Sequence, residues 1–287
     1  MLKKRVIATL AVKDGIVVQS IGFRRYLPIG RPEIAVDFLN QWGIDEILYL
    51  DISATRKRQP PDFTLIRKAA KRCRVPLTIG GGITEIDHIK ELMHSGADKI
   101  AVNQMLFTHP EFVTQAAAIF GNQCIVASID ARYENGTARV HNYITGETDS
   151  TPSEFASHAE SLGAGEILLH CVDRDGSYRG FDTALIQQVC EAVHIPVIAS
   201  GGARNAADFV DVFQKTDACA ASAGNFFHFT QNSVNMTKAC LVDHVPVRLE
   251  TQADYKGAAF DADLRLAKKP DAVLEDMLFE RIEVERI

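Results

Sequence analysis

The sequence predicts a (β/α)8 TIM barrel with a two-fold half-barrel repeat and a C-terminal helical extension, and three observations lead there. The chain has 287 residues, 46% hydrophobic and 24% charged, which is enough for one large core. Short apolar, β-rich runs alternate with helical patterns of about 10 to 15 residues, as a parallel sheet requires. The two halves also repeat. "DEILYLDISA" from Asp45 resembles "GEILLHCVDRDG" from Gly165, "TIGGGI" from Thr78 resembles "IASGGA" from Ile198, and "GADKIAVNQMLF" from Gly96 resembles "TDACAASAGNFF" from Thr216, each pair 120 positions apart.

In order, the first half offers strand one in "RVIATLAV", a loop over residues 20–32, a helix in "EIAVDFLNQWG", strand two in "EILYLDI", strand three in "VPLTIGG", a helix in "EIDHIKELMHSG" and strand four in "KIAVN". The second half offers strands five to eight in "CIVASID", "EILLHCV", "IPVIASG" and "ACAASAG". Residues 1–249 are expected to form the barrel. Residues 250–287 form an extension, divided by Pro270, in which Leu274, Met277, Leu278 and Ile282 are spaced for one apolar helix face. That helix either packs on the barrel or docks another subunit. The loop "SIGFRRYLPIGRP" carries Arg24, Arg25 and Arg31 and is long enough to cover an anionic ligand, although its arginines could equally be solvated.

Bulk properties exclude some functions. A net charge of −6 argues against a nucleic-acid surface, which needs clustered Lys and Arg. The six cysteines lack metal or redox spacing and read as reduced, mostly buried thiols, and "HFTQN" and the His141 region offer no metal spacing, so no metal and no cofactor are expected. The basic start is followed by too short an apolar run for a leader or a membrane span, and a cytoplasmic location is expected.

In this fold the chemistry sits where strands end, so the strand-end residues are the candidates. "GGGI" and "SGGA" close strands three and seven, and Gly81, Gly82, Ser200, Gly201 and Gly202 bring backbone amides toward an anion. Asn103 and the pair Gly224 and Asn225 end strands four and eight beside them. Two such cradles related by the repeat point to a ligand phosphorylated at both ends. The alternative, that the glycines serve only tight turns, stays open. Asp51, Asp173, Asp175 and Gly176 are read as organising the loops and hydrogen-bonding the ligand.

The motifs "KRVI", "VKDG", "GIDEILYLDI", "IGGGI", "GADKIAVN", "GAGEILLHCVDRDG", "PVIASGGA" and "FFHF" resemble the cyclase subunit of imidazole glycerol phosphate synthase, from Met1 to about Leu249. The resemblance implies a barrel that receives ammonia from a class I glutaminase docked at its N-terminal face. It implies addition of that ammonia to a bis-phosphorylated ribulosyl substrate, with cyclisation to imidazole glycerol phosphate. It also implies a charged ring gating ammonia passage at the strand starts, here Arg5, Glu46, Lys99 and Glu166. A salt-bridge network that only closes the barrel is the plainer alternative for those four.

One implied feature is missing. The family's acid/base pair ends strands one and five; Asp130 matches one member, and Ala11 stands in place of the other. The surroundings differ as well, with "ATLAV" and Gln19 where the family has "PCLDV" and a lysine, and His170–Cys171 where it has small hydroxyl residues. His170 is a candidate substitute, since imidazole titrates near neutrality. The leading expectation is therefore a divergent barrel that channels ammonia to a separate amidotransferase in surface-polysaccharide, acetamidino-sugar synthesis. The alternative is an imidazole glycerol phosphate synthase cyclase subunit in histidine biosynthesis with an altered acid/base set.

Overall fold

A computed structural model describes residues 3–230, 232–248, 259–260, 267, 270 and 272–273, with the side chain of Glu147 left aside. The eight barrel strands are β1 (Arg5–Lys13), β2 (Glu46–Asp51), β3 (Leu77–Gly80), β4 (Lys99–Val102), β5 (Ile125–Glu134), β6 (Glu166–Cys171), β7 (Val197–Ser200) and β8 (Ala220–Ala223). Each pairs in parallel with its sequence neighbour, and β8 returns to β1, so the sheet closes without an edge.

Helices α1 (Pro32–Gln41), α2 (Phe63–Ala70), α3 (Ile86–His94), α4 (Glu111–Phe120), α5 (Pro152–Ser161), α6 (Thr183–Ala192), α7 (Ala206–Lys215) and α8 (Ser233–Leu241) alternate with the strands. The repeat reaches their caps. Asp62 and Asp182, 120 positions apart, accept from Leu65 N and Leu185 N and satisfy otherwise orphaned first-turn amides of α2 and α6.

Alternation along the strands sends one face of each to the helices and the other to the lumen. The lumen is layered. Its lowest layer is charged, its middle layer is the apolar cluster of Ile7, Leu48, Ala101, Val126, Leu168, Ile198 and Ala220, and hydroxyl, amide and carboxyl groups follow above. Outside the lumen, Lys238 of α8 is buried and pairs with the buried Asp45, Nζ to Oδ1 at 2.6 Å, while Asp45 Oδ2 accepts from Val6 N. This ties α8 to the first strand pair.

The segment after β1 is a hairpin, where a loop was expected. Strands Ile16–Ile21 and Arg25–Gly30 pair antiparallel, and β1 itself continues into the first of them. The turn between them uses left-handed backbone at Gly22 and Phe23, and "IVVQSI" supplies the alternation that extends the sheet. A second hairpin extends β5 through Thr137–Asn142. The six cysteines are unpaired; Cys171 is buried and the other five are half-buried, less buried than expected. Of the extension, Phe260 packs against the core, and the helix expected from Leu274, Met277, Leu278 and Ile282 lies outside the described residues. Among the described residues no helix is long and apolar enough to cross a membrane.

Candidate functional site

The floor of the lumen is a closed ring of alternating charge. Arg5 pairs with Glu46 (Nη1 to Oε2, 2.7 Å) and with Glu166, and Lys99 bridges the same two carboxylates at 3.0 Å and 2.8 Å. Thr78 donates a further hydrogen bond to Glu46 Oε1. The sequence placed these four residues at strand starts, and the barrel brings them into one ring in which each cation pairs with both carboxylates. The side chains of Glu46 and Glu166 are 2% and 6% exposed, so each carboxylate depends on its two cations for compensation.

At the opposite end, across the apolar layer, lies a cavity of about 180 Å³ bordered by the C-terminal ends of the strands. Asp130 projects into it from β5 and is 7% exposed. Burial drives its pKa up to about 6, against the opposing pull of His170 and a hydrogen bond from Asn103 Nδ2. A carboxyl group that titrates near neutrality is suited to giving and taking protons.

His170, on the neighbouring strand and in register with Asp130, also lines the cavity. Burial alone lowers its pKa, but Asp175 and Asp130 outweigh burial and hold the imidazole above its ordinary value. Its Nε2 lies 3.5 Å from Asp175 Oδ1, an ion pair longer than a hydrogen bond, and its Nδ1 lies 2.9 Å from Ser200 Oγ. The ring of Phe23 covers it, with centroids 5.0 Å apart.

Phe23 belongs to the first hairpin, which leans over the cavity and is held there by two strand-end residues. Asp175 Oδ2 accepts from Ser20 Oγ (2.6 Å) and from Phe23 N. Asn225 accepts from Ser20 N and donates to Ser20 O (2.7 Å). Burial works against ionising Asp175, and the His170, Ser20 and Phe23 contacts overcome it, leaving the pKa below its ordinary value. The hairpin's contribution is aromatic and hydroxylic: Phe23, Tyr26 and Ser20 face the cavity, whereas Arg24, Arg25 and Arg31 are exposed.

The glycine turns sit where expected. A side chain at Gly81 would place its Cβ 2.2 Å from Asp51 O, and one at Gly202 would come 2.2 Å from Gly180 O. Both have positive φ, so both turns require glycine for backbone reasons alone. Gly82, Gly176, Gly201 and Gly224 line the same cavity. Asn225 commits both ends of its amide to Ser20, whereas Asn103 donates through Nδ2 to Ser128 O and Asp130 and its buried Oδ1 has no protein partner. Asp51 organises its loop by accepting from Ser53 N, Ser53 Oγ and Ala54 N, and Asp173 accepts from Tyr133 N.

Several lining residues escaped the sequence reading. Thr9 and Ser222 lie on the inward faces of β1 and β8, and strand alternation was enough to find them. Arg56 and Tyr143 meet over the cavity, the guanidinium 5.6 Å from the ring centroid and Nη2 donating to Tyr143 O. Nothing local in the sequence announces that contact, which joins the β2 loop to the β5 hairpin. Among the described residues no group of three His, Cys, Asp or Glu side chains is arranged to hold a metal ion.

The family described as histidine biosynthesis protein matches residues 5–233. A relative in Vibrio vulnificus, named as a putative imidazole glycerol phosphate synthase subunit hisF2, is 40% identical over 265 residues, 92% of this chain and 97% of its own. The imidazole glycerol phosphate synthase subunit HisF of Geobacillus thermodenitrificans is 41% identical over 244 residues, 84% of this chain and 97% of its own. That of Lactococcus lactis is 39% identical over 253 residues, 87% and 98%.

The chain belongs to the histidine biosynthesis protein family. The match spans the whole closed barrel, from the first residue of β1 to the start of α8. Within this family member the strand-one position opposite the Asp130 side of the repeat is Ala11, a half-buried methyl group that borders the cavity. The neighbouring inward residue is Thr9, whose hydroxyl reaches Ser222.

Proposed function

We propose that this protein is the ammonia-using, cyclase-type subunit of an imidazole glycerol phosphate synthase-like pair, working with a class I glutaminase at the N-terminal face of the barrel. The observation that carries the reading is the alignment of one charged ring, one apolar lumen and one cavity holding Asp130 along a single barrel axis. Neutral ammonia suits such a path, because an apolar layer disfavours a charged ammonium ion strongly. The ring is closed by ion pairs, so passage requires one of them to part. Lys99, whose side chain is 20% exposed against 13% for Arg5, is the more accessible cation.

At the top, a bis-phosphorylated ribulosyl ligand fits the two glycine turns on opposite sides of the cavity. Asp130, near neutrality, removes or returns a proton at the ring-closing centre, and the first hairpin excludes water above it. Names of relatives support the reading as far as they go: they describe subunits of imidazole glycerol phosphate synthase.

A second reading is favoured by Ala11. With no carboxyl group on β1, the barrel passes ammonia onward to a separate amidotransferase that makes acetamidino sugars for surface polysaccharide, and the cavity holds a phosphorylated regulator. The deciding experiment is turnover of the bis-phosphorylated ribulosyl substrate by purified protein with saturating ammonium salt, which removes the glutaminase from the question. Product formation that Asp130→Asn abolishes supports the cyclase reading. An inert protein that Ala11→Asp makes active leaves the conduit reading.

A further inference from the structure

Four side chains on four successive strands touch in line around one side of the lumen. Thr9 Oγ1 of β1 lies 3.1 Å from Ser222 Oγ of β8, Ser222 Oγ lies 2.9 Å from Ser200 Oγ of β7, and Ser200 Oγ lies 2.9 Å from His170 Nδ1 of β6. Each hydroxyl can both donate and accept, so the row can carry protons in either direction. Ser200 and Ser222 are 4% and 0% exposed, and the apolar layer lies beneath them, so bulk water does not compete for their hydrogen bonds.

The two ends of the row differ. At one end is an imidazole faced by Asp175 at 3.5 Å, by Asp130 on the adjoining strand and by the Phe23 ring. At the other is Thr9, two positions before Ala11 on the same inward face of β1. The row therefore ends beside Ala11, the β1 position that matches Asp130 of β5 when Ala8–Thr9–Leu10–Ala11 is laid over Ala127–Ser128–Ile129–Asp130.

We infer that Thr9, Ser222, Ser200 and His170 form a proton relay that serves the β1 side of the cavity in place of the group missing at position 11. The inference rests on the cyclase-type reading. In the transfer step His170 gives its Nδ1 proton to Ser200 Oγ as Ser200 passes its own to Ser222, Ser222 to Thr9, and Thr9 to the ligand atom. One proton leaves the imidazolium, one reaches the ligand, every hydroxyl is restored, and His170 regains a proton from solvent before the next turnover. Asp130 acts from the opposite strand, so the two proton-handling groups flank the ligand.

The test compares the unmodified protein, Thr9→Val, Thr9→Ser, Ala11→Asp and the Thr9→Val/Ala11→Asp double variant, all with the ribulosyl substrate and saturating ammonium salt in mixtures of H2O and D2O. The relay predicts a loss in kcat on the order of 10²-fold or more for Thr9→Val with KM nearly unchanged, because an acid/base contribution is removed. It also predicts a curved dependence of rate on deuterium fraction in the unmodified protein that straightens in Thr9→Val. Thr9→Ser restores the curve, and Ala11→Asp rescues Thr9→Val, which shows that the variant is folded. A Thr9→Val rate close to that of the unmodified protein overturns the relay and leaves the cyclase reading standing. An inert unmodified protein that Ala11→Asp activates also overturns the relay, and it leaves the conduit reading. If neither the unmodified protein nor Ala11→Asp forms product, the cyclase reading falls and the relay with it.

Discussion

The floor and the top of this barrel are made by the same eight strands, yet one end is electrostatically complete and the other is not. At the floor, two cations and two carboxylates satisfy each other in four ion pairs. At the top, Asp130 is buried without a cation in hydrogen-bonding contact and its pKa is pushed up to about 6, while the matching strand-end position of β1, Ala11, carries only a methyl group. The difference teaches where this molecule spends stability. Burying matched charges needs every partner present, whereas a poised acid/base group is kept in place at a cost to the folded state.

Substitutions sharpen the contrast, beginning with the largest effect. Asp130→Asn is expected to lower ammonium-dependent turnover by about 10²- to 10⁴-fold, measured as kcat at saturating ammonium salt. Glu46→Leu leaves Arg5 and Lys99 sharing one carboxylate, and a loss of about 3–5 kcal/mol is expected from urea unfolding midpoints. If the floor tolerates that change, the ring is not the stabilising end of the comparison.

Asp130→Asn should have the opposite effect on stability. Its folded pKa of about 6 lies above the ordinary 3.8, so the protonated form is the one folding favours. Stability is fully present below pH 3.8 and is lost as pH rises through about 6. At pH 8 the neutral amide should therefore be more stable than the parent by about 3 kcal/mol, at about 1.4 kcal/mol per tenfold change in proton affinity, with the gap closing by pH 4. A constant gap across that range would show that burial of Asp130 is not the cause. Smallest of all, Arg24→Ala and Arg25→Ala should shift stability by no more than about 0.5 kcal/mol and leave turnover intact, because both side chains face solvent.

Much of this was legible in the chain. Strand alternation and the 120-residue offset were enough to order β1 to β8 and to put Asp130 and the glycine turns at one end, while the family resemblance drew attention to His170 there and to the four charged residues at the other. The hairpin after β1 was not legible as a lid of this kind. Arg24, Arg25 and Arg31 drew attention by charge, while the residues that reach the cavity are Ser20, Phe23 and Tyr26, selected by the strand pairing of Val17 to Ile21 with Arg25 to Gly30. Asn225 and Asp175 looked like ligand contacts for the same reason: a strand-end polar residue does not disclose whether its partner is a ligand or a loop from the other half of the chain. The hydroxyl row was readable in part, since Thr9, Ser200 and Ser222 all fall on inward positions, but their mutual spacing depends on the stagger of closure.

The pair between Asp45 and Lys238 also imposes an order of events during synthesis. The two residues are 193 positions apart, so a ribosome working at about 5–20 residues per second exposes the carboxylate roughly 10 to 40 s before its ammonium partner exists. Through that interval the nascent first half can form the Val6 hydrogen bond but cannot bury Asp45 as an ion pair. The emerging chain cannot complete this corner as an ion pair until α8 arrives, which makes α8 the element that closes it.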